Sequence, residues 1–266
     1  MTAFTTEEIV AGDGTTIGYR RAGQGWPLVI THGSICTGEQ WIPVLEDLAA
    51  DFEVFVYDRR GRGISGDAAE YSLATEAADI AAMLELAGPG AALLGHSYGA
   101  ICTLEAIRTG AEVSAHIAYE PPLPVHGPTA GEYLAPYAEL VAEGDLDGAM
   151  RLACDRFLRI SEAEKEGVAA SPLWPGFVEL TPTWTRELEQ IDLSVEHLDE
   201  YAASSPRTLL LVGTDSPGHL RDDSTFLEER LPDATRVDLE DQNHFAHVMD
   251  PKGVAAVIRG FLQSGD

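Results

Sequence analysis

The pentapeptide Gly95–His96–Ser97–Tyr98–Gly99 constrains this chain more than any other stretch. It fits G-x-S-x-G, and its flanks decide its meaning. Ala91–Leu94 is an apolar run of strand character, and Gly99–Arg108 has helical spacing. A strand that turns at once into a helix holds the residue at its tip in a strained conformation. Side chains two positions before and after that tip would collide with their neighbours, so glycine suits both places. Such a turn presents the Ser97 hydroxyl at a sheet edge and aims the amino end of a helix at it. A backbone amide of that helix is then available to a developing oxyanion. The competing reading is a tight strand–helix turn with an idle serine.

Strands and helices alternate on both sides of this turn, which predicts a mostly parallel central sheet with helices on both faces. Glu7–Arg21 reads as a hairpin turning at Gly12–Asp13–Gly14. Pro27–Thr31, Phe52–Tyr57, Ser114–Tyr119, Arg207–Val212 and Arg236–Leu239 read as further strands. Helical spacing runs over Gly38–Ala50, Ser72–Ala87, Asp222–Leu231 and Lys252–Leu262, with Gly88–Pro89–Gly90 as a stop after the second. From Leu123 to Ser205 no strand pattern occurs. Helical patterns lie at Gly131–Glu143, Leu146–Ile160 and Pro182–Leu193, with a break expected at Trp174–Pro175–Gly176. This stretch is too long for an ordinary loop and reads as a helical lid inserted between two strands. The expected organisation is a core over residues 1–122, a helical lid over 123–205, and the rest of the core over 206–266.

Charge narrows the partners. Seventeen Lys and Arg face 44 Asp and Glu, a net charge of −27. Such a surface repels phosphate backbones and anionic membranes, so no nucleic acid or membrane partner is expected. The excess serves solubility or biases the site toward neutral or cationic substrates. Met1–Gly14 has neither a basic start nor an apolar run, so no secretory signal is read there, and no stretch is apolar enough to span a bilayer. Cys36, Cys102 and Cys154 are too few and too odd in number for a disulfide framework and show no metal-ligand spacing. The expected setting is the cytoplasm, with no cofactor and no metal. A homo-oligomer is compatible with the sequence.

Four further motifs fall in order around the pentapeptide. They are His32–Gly33–Ser34 after a buried strand, Asp58–Arg59–Arg60–Gly61–Arg62–Gly63 with Ser65, Gly213–Thr214–Asp215, and Asp241–Gln242–Asn243–His244. Together the five resemble the α/β-hydrolase family over nearly the whole chain. The resemblance implies Ser97 as nucleophile, His244 as general base, and an acid that orients the imidazole. Asp215 is the first candidate for that acid, although the commoner family pattern, G-x-x-D, places Ser216 there. Glu120, at the end of the preceding strand, is the alternative. The backbone amides of Ser34 and Tyr98 are the expected oxyanion hole. His247 competes with His244; His32 and His96 are expected to hold loops. The Arg59–Arg62 cluster suggests anion binding, but ties from loops to acidic neighbours explain it better. Trp174, Phe177 and Trp184 are the lid groups expected to line a substrate pocket, unless they form lid core.

The implied reaction is acyl transfer to water through an acyl-enzyme. The expected substrate is a medium-sized apolar carboxylic ester or lactone. Carbon–carbon bond hydrolysis or cofactor-free perhydrolysis on the same triad is a second reading. The longer Gly/Pro-rich oxyanion loop usual in carbon–carbon hydrolases is missing here. A ligand-binding protein with a hydrolase-like pocket is a third. Ser97→Ala should abolish covalent labelling by a fluorophosphonate and lower turnover by orders of magnitude with folding intact. Wild-type-like hydrolysis by the folded variant would contradict the assignment.

Overall fold

Eight strands form one sheet in the computed structural model, which describes residues 4–203 and 206–265. They are β1 (Thr5–Val10), β2 (Thr16–Ala22), β3 (Trp26–Thr31), β4 (Phe52–Tyr57), β5 (Ala92–His96), β6 (His116–Tyr119), β7 (Thr208–Gly213) and β8 (Ala234–Leu239). The spatial order is β1-β2-β4-β3-β5-β6-β7-β8. The β1–β2 hairpin is antiparallel, as is the β2–β4 pair, and every pairing from β4 through β8 is parallel. The helices are α1 (Ile42–Leu48), α2 (Leu73–Ala87), α3 (Tyr98–Arg108), α4 (Leu134–Glu143), α5 (Leu146–Arg156), α6 (Glu162–Ala169), α7 (Trp174–Leu193), α8 (Leu198–Ala203), α9 (Gly218–Glu228), α10 (Ala246–Met249) and α11 (Pro251–Gln263).

The central strands are apolar runs because both faces are covered. Alternate residues divide between two cores. Val29, Phe55, Leu93 and Leu210 face one side, and Leu28, Ile30, Val54, Leu94 and Leu211 face the other. α2, α3 and the helices between β6 and β7 supply the first core. α1 and α11 supply the second; α11 buries Val254, Ala255, Ile258, Phe261 and Leu262 at helical spacing. A capping box between Ser72 and Thr75 starts α2, and Gly88 at φ 93 ends it.

Among the described residues, 123–203 contain helices and no strand. The last two residues of the expected lid, 204–205, lie outside the described residues. Three details differ from expectation. Trp174–Pro175–Gly176 is not a break but the start of α7, where a proline costs no hydrogen bond. α7 then continues through Pro182, which should interrupt it. The carbonyl that Pro182 leaves without an amide donor is that of Val178, and the Thr181 hydroxyl donates to it at 2.8 Å. Tyr137 on α4 donates to the Thr181 carbonyl at 2.8 Å, anchoring the same turn. α9 begins at Gly218, four residues before expectation, directly after Pro217.

Thr181→Val keeps the shape of this fully buried side chain and removes the substitute donor. The expected loss is about 1 kcal/mol of unfolding free energy, read by urea denaturation. An unchanged midpoint would show that Val178 needs no partner there.

Candidate active site

Every expected catalytic side chain lies at the carboxyl ends of the parallel strands, the edge where open α/β sheets place their sites. β5 ends at His96, and Ser97 follows at φ 55, ψ −127 before α3 begins. A non-glycine residue there costs about 1–3 kcal/mol unless its surroundings hold it. The Ser97 amide donates to the Tyr119 carbonyl at 2.9 Å, tying the elbow to the end of β6. The flanking glycines are steric necessities. A Cβ on Gly95 would sit 2.5 Å from Ala100 Cα, and one on Gly99 would strike the Thr31 and His32 carbonyl oxygens.

His244 lies in the loop after β8, buried to 6% exposure, and lines the same small cavity as Ser97. Its Nδ1 is 2.6 Å from Glu120 Oε2. Glu120 is fully buried, follows β6 at φ 46, and accepts from the Gly213 amide through Oε1 at 2.7 Å. The loop is fixed from below as well. The Tyr119 hydroxyl donates to the Asn243 carbonyl at 2.8 Å and accepts from the Ala246 amide at 3.1 Å. His96 Nε2 donates to the His244 carbonyl at 3.0 Å. Burial, with His247 and His244 nearby, pushes His96 well below the usual imidazole range, so it stays neutral in this role.

Asp215, the first sequence candidate for the acid, is not where the imidazole needs a carboxylate. Its side chain is exposed, and its amide donates to the Gln242 carbonyl at 2.9 Å. The turn leaving β7 passes against that carbonyl, Ser216 takes the inward place, and Asp215 is directed outward. Glu120 occupies the position instead, because the left-handed backbone at the end of β6 turns its side chain toward β7 and the histidine loop.

The other histidines are accounted for by packing. His247 is fully buried, stacked on Trp41 at 4.5 Å between centroids, and burial pushes it down to about 3. His32 Nδ1 donates to the Gly33 carbonyl at 2.8 Å, and its Nε2 accepts from the Arg59 amide at 3.0 Å. The arginine cluster ties loops to acids. Arg59 pairs with Glu76, Arg60 with Asp79, and Arg62 with Glu187. The three cysteines are buried and unbridged, and burial pushes the Cys36 thiol up to about 12. No group of three or more His, Cys, Asp or Glu among the described residues is arranged to hold a metal.

Ser34 and Tyr98 flank Ser97. Ser34 lines the Ser97 cavity, and Tyr98 is the first residue of α3. That cavity, about 20 Å³, is also walled by Phe157, Trp184, Leu188 and Ile191 from the helical insertion. A second cavity of about 350 Å³ adjoins it on the His244 side and is mostly apolar, with Phe177, Phe245 and Val248 among its walls. Leu158, Leu220 and His244 line both. Trp184 thus faces the first cavity and Phe177 the second. Trp174 faces neither; its Nε1 donates to Asp147 at 2.8 Å and its ring lies under Arg151, inside the helical insertion. His219 and Leu220, which no sequence motif marks, join the Ser97 cavity from the early first turn of α9.

Comparison with known proteins agrees with this fold. Residues 28–257 match the model of the alpha/beta hydrolase family. An (E)-2-((N-methylformamido)methylene)succinate hydrolase of Acinetobacter baylyi is 26% identical over 255 residues, covering 94% of this chain and 95% of its own. The crystal structure of an alpha/beta hydrolase from Sphaerobacter thermophilus is 30% identical, with TM-score 0.87, covering 96% of this chain and 100% of that one. The esterase RhEst1 from a Rhodococcus species is 26% identical, with TM-score 0.77, covering 97% and 98%.

The two carboxylates separate in a direct test. Glu120→Gln should lower kcat by about a thousandfold or more, the scale seen when a triad acid is neutralised. Asp215→Asn should stay within about twofold of wild type. The reverse order, measured on folded variants, would return the acid's role to Asp215.

Proposed function

The chain belongs to the alpha/beta hydrolase family, and within it we propose a serine hydrolase that transfers an acyl group from a carboxylic ester to water. The observation that carries this reading is the bond between His244 Nδ1 and Glu120, with His244 and Ser97 walling one cavity. Glu120 holds the imidazole with its proton on Nδ1 and leaves Nε2 to take the Ser97 proton. Ser97 Oγ attacks the carbonyl carbon, and the oxyanion is held by the Ser34 and Tyr98 amides. Loss of one such donor typically costs about 3–4 kcal/mol of transition-state stabilisation. The imidazolium next protonates the leaving oxygen, and water clears the acyl-enzyme by the same route reversed.

The cavities support an apolar substrate, with roles divided by position. The space around Ser97, walled by Trp184, Leu188 and Ile191, takes a short acyl group. The larger apolar cavity lies on the His244 side, where the leaving group receives its proton, and takes the alcohol portion. The 26% identity to an esterase over nearly the whole chain supports the same choice. A second reading is favoured by the Acinetobacter relative, which is named for an N-methylformamido-substituted succinate. On that reading the same serine attacks an amide-type carbonyl. No described helix is long and apolar enough to cross a membrane. We further propose a cytoplasmic enzyme, which three buried free thiols support.

A panel of aryl and alkyl acetates, longer acyl esters, a lactone, an N-formyl amide and a β-diketone separates these readings. Short-acyl esters of apolar alcohols should give the highest kcat/KM, falling steeply with acyl length. Preference for the N-formyl amide would favour the second reading. Turnover of the β-diketone alone would contradict ester hydrolysis.

A further inference from the structure

We propose that Glu187, on α7 of the helical insertion, is a positioning residue for the oxyanion hole, acting through Arg59 on the peptide between Gly33 and Ser34. The inference rests on the serine-hydrolase reading and deepens it.

The Gly33 carbonyl accepts from His32 Nδ1 at 2.8 Å and from Arg59 Nη1 at 3.2 Å. No cis peptide occurs among the described residues, so the Ser34 amide points opposite to that carbonyl. Two donors therefore hold the carbonyl on one side and leave the amide facing the other. That other side is the site. Ser34 lines the Ser97 cavity, and a Cβ on Gly33 would sit 2.8 Å from Ser97 Cβ. Arg59 also lies over the Tyr98 ring, its guanidinium carbon 4.6 Å from the centroid. One buried cation thus contacts the Tyr98 ring and the carbonyl of the peptide whose amide belongs to Ser34.

Arg59 is held in turn by groups of different origin. Glu76 on α2 takes Nε and Nη2 at 3.2 and 2.7 Å, and Glu187 takes Nη2 at 2.9 Å. Glu187 also accepts from Arg62 Nη2 with the same oxygen, Oε1. The two guanidiniums therefore meet at one carboxylate oxygen in a place without solvent. Burial raises the Glu187 carboxyl, but Arg59 and Arg62 outweigh it, with help from the neighbouring Ser34 hydroxyl, and hold it below the usual carboxylate range. The count of buried charges here is two positive, Arg59 and Arg62, and two negative, Glu76 and Glu187. Neutralising Glu187 leaves Arg62 facing Arg59 with no shared carboxylate, since Glu76 bonds Arg59 alone. Arg62 then keeps only the bond from Nη2 to Thr183 Oγ1 at 2.9 Å, since its Nε and Nη1 have no hydrogen-bond partner. The repulsion then acts on Arg59, which Glu76 and Tyr71 still hold and whose Nη1 bond to the Gly33 carbonyl is the link to the Ser34 amide.

The test compares Glu187→Gln, Glu187→Asp and Arg186→Ala. Arg186 ties the same helix to Asp67 at 3.0 Å and reaches Arg59 only through the Tyr71 ring, without touching its charge partners, so it controls for simple loosening of α7. Thermal melting establishes that each variant is folded. Glu187→Gln should lower kcat by about ten- to a hundredfold with KM within about threefold. Its affinity for phenylboronic acid, which forms a tetrahedral adduct on the serine, should fall by the same factor. Glu187→Asp should recover part of both, and Arg186→Ala should match wild type in both. Unchanged kcat in folded Glu187→Gln overturns the proposal, as does an equal loss in Arg186→Ala. If Glu187→Gln does not fold, the Glu187→Asp comparison decides alone: a loss in KM without a loss in boronate affinity overturns it. Fluorophosphonate labelling of wild type at Ser97 keeps the two readings apart. Its absence would sink the hydrolase assignment, whereas its presence with an unchanged labelling rate in Glu187→Gln sinks only the positioning role.

Discussion

One buried carboxylate, that of Glu120, ties together the ends of three parallel strands. Its backbone closes β6, one oxygen accepts from the last amide of β7, and the other meets His244 beyond β8. Each partner is a polar group that would lose free energy if buried alone. Because both oxygens are bonded, the carboxylate has no second arrangement of similar energy. The histidine loop consequently has a fixed height over the sheet edge, and the His244 imidazole a fixed place beside the cavity that Ser97 lines.

Strain is concentrated at the same edge. Among the described residues, five non-glycine positions have positive φ, and three of these are Ile35 beside the oxyanion loop, Ser97 and Glu120. Such conformations persist only where the surroundings over-determine them. Here the surroundings are the Tyr119 carbonyl on the Ser97 amide, the close approach of Gly95 and Gly99 to neighbouring backbone, and the two-sided hold on Glu120. Behind them lies a layer of buried arginines paired with acids, unusual interior content for so acidic a chain. Arg59 links this layer to the strained edge through the Gly33 carbonyl, at 3.2 Å.

The frame of the site was legible because its signals are local. Apolar runs, the paired glycines of the elbow and the order of the motifs each depend on a few adjacent residues. The choice of acid was not local. Gly213–Thr214–Asp215 and Tyr119–Glu120 both leave strands on the correct edge, and only the direction of each exit turn separates them. Asp215 leaves by a turn held against Gln242, and that contact spans residues far apart in the chain. α7 was misjudged for a related reason. Pro182 reads as a helix start, since a proline inside a helix leaves a carbonyl without its donor, yet the Thr181 hydroxyl satisfies Val178 and the helix runs through. Trp174 carries the composition of a pocket residue, yet Asp147 binds its indole nitrogen and turns it into the helical insertion. The pairing of Glu187 with Arg59 joins positions 128 residues apart, and no spacing in the sequence announces it.

The central claim is that Glu120 holds the His244 proton on Nδ1. Proton NMR of the wild-type protein reads this directly. A proton shared between Nδ1 and a carboxylate at 2.6 Å resonates far downfield of the amide region. The account predicts such a resonance in wild type, its retention in Asp215→Asn, and its loss or large upfield shift in Glu120→Gln. A resonance that survives in Glu120→Gln and disappears in Asp215→Asn would contradict it.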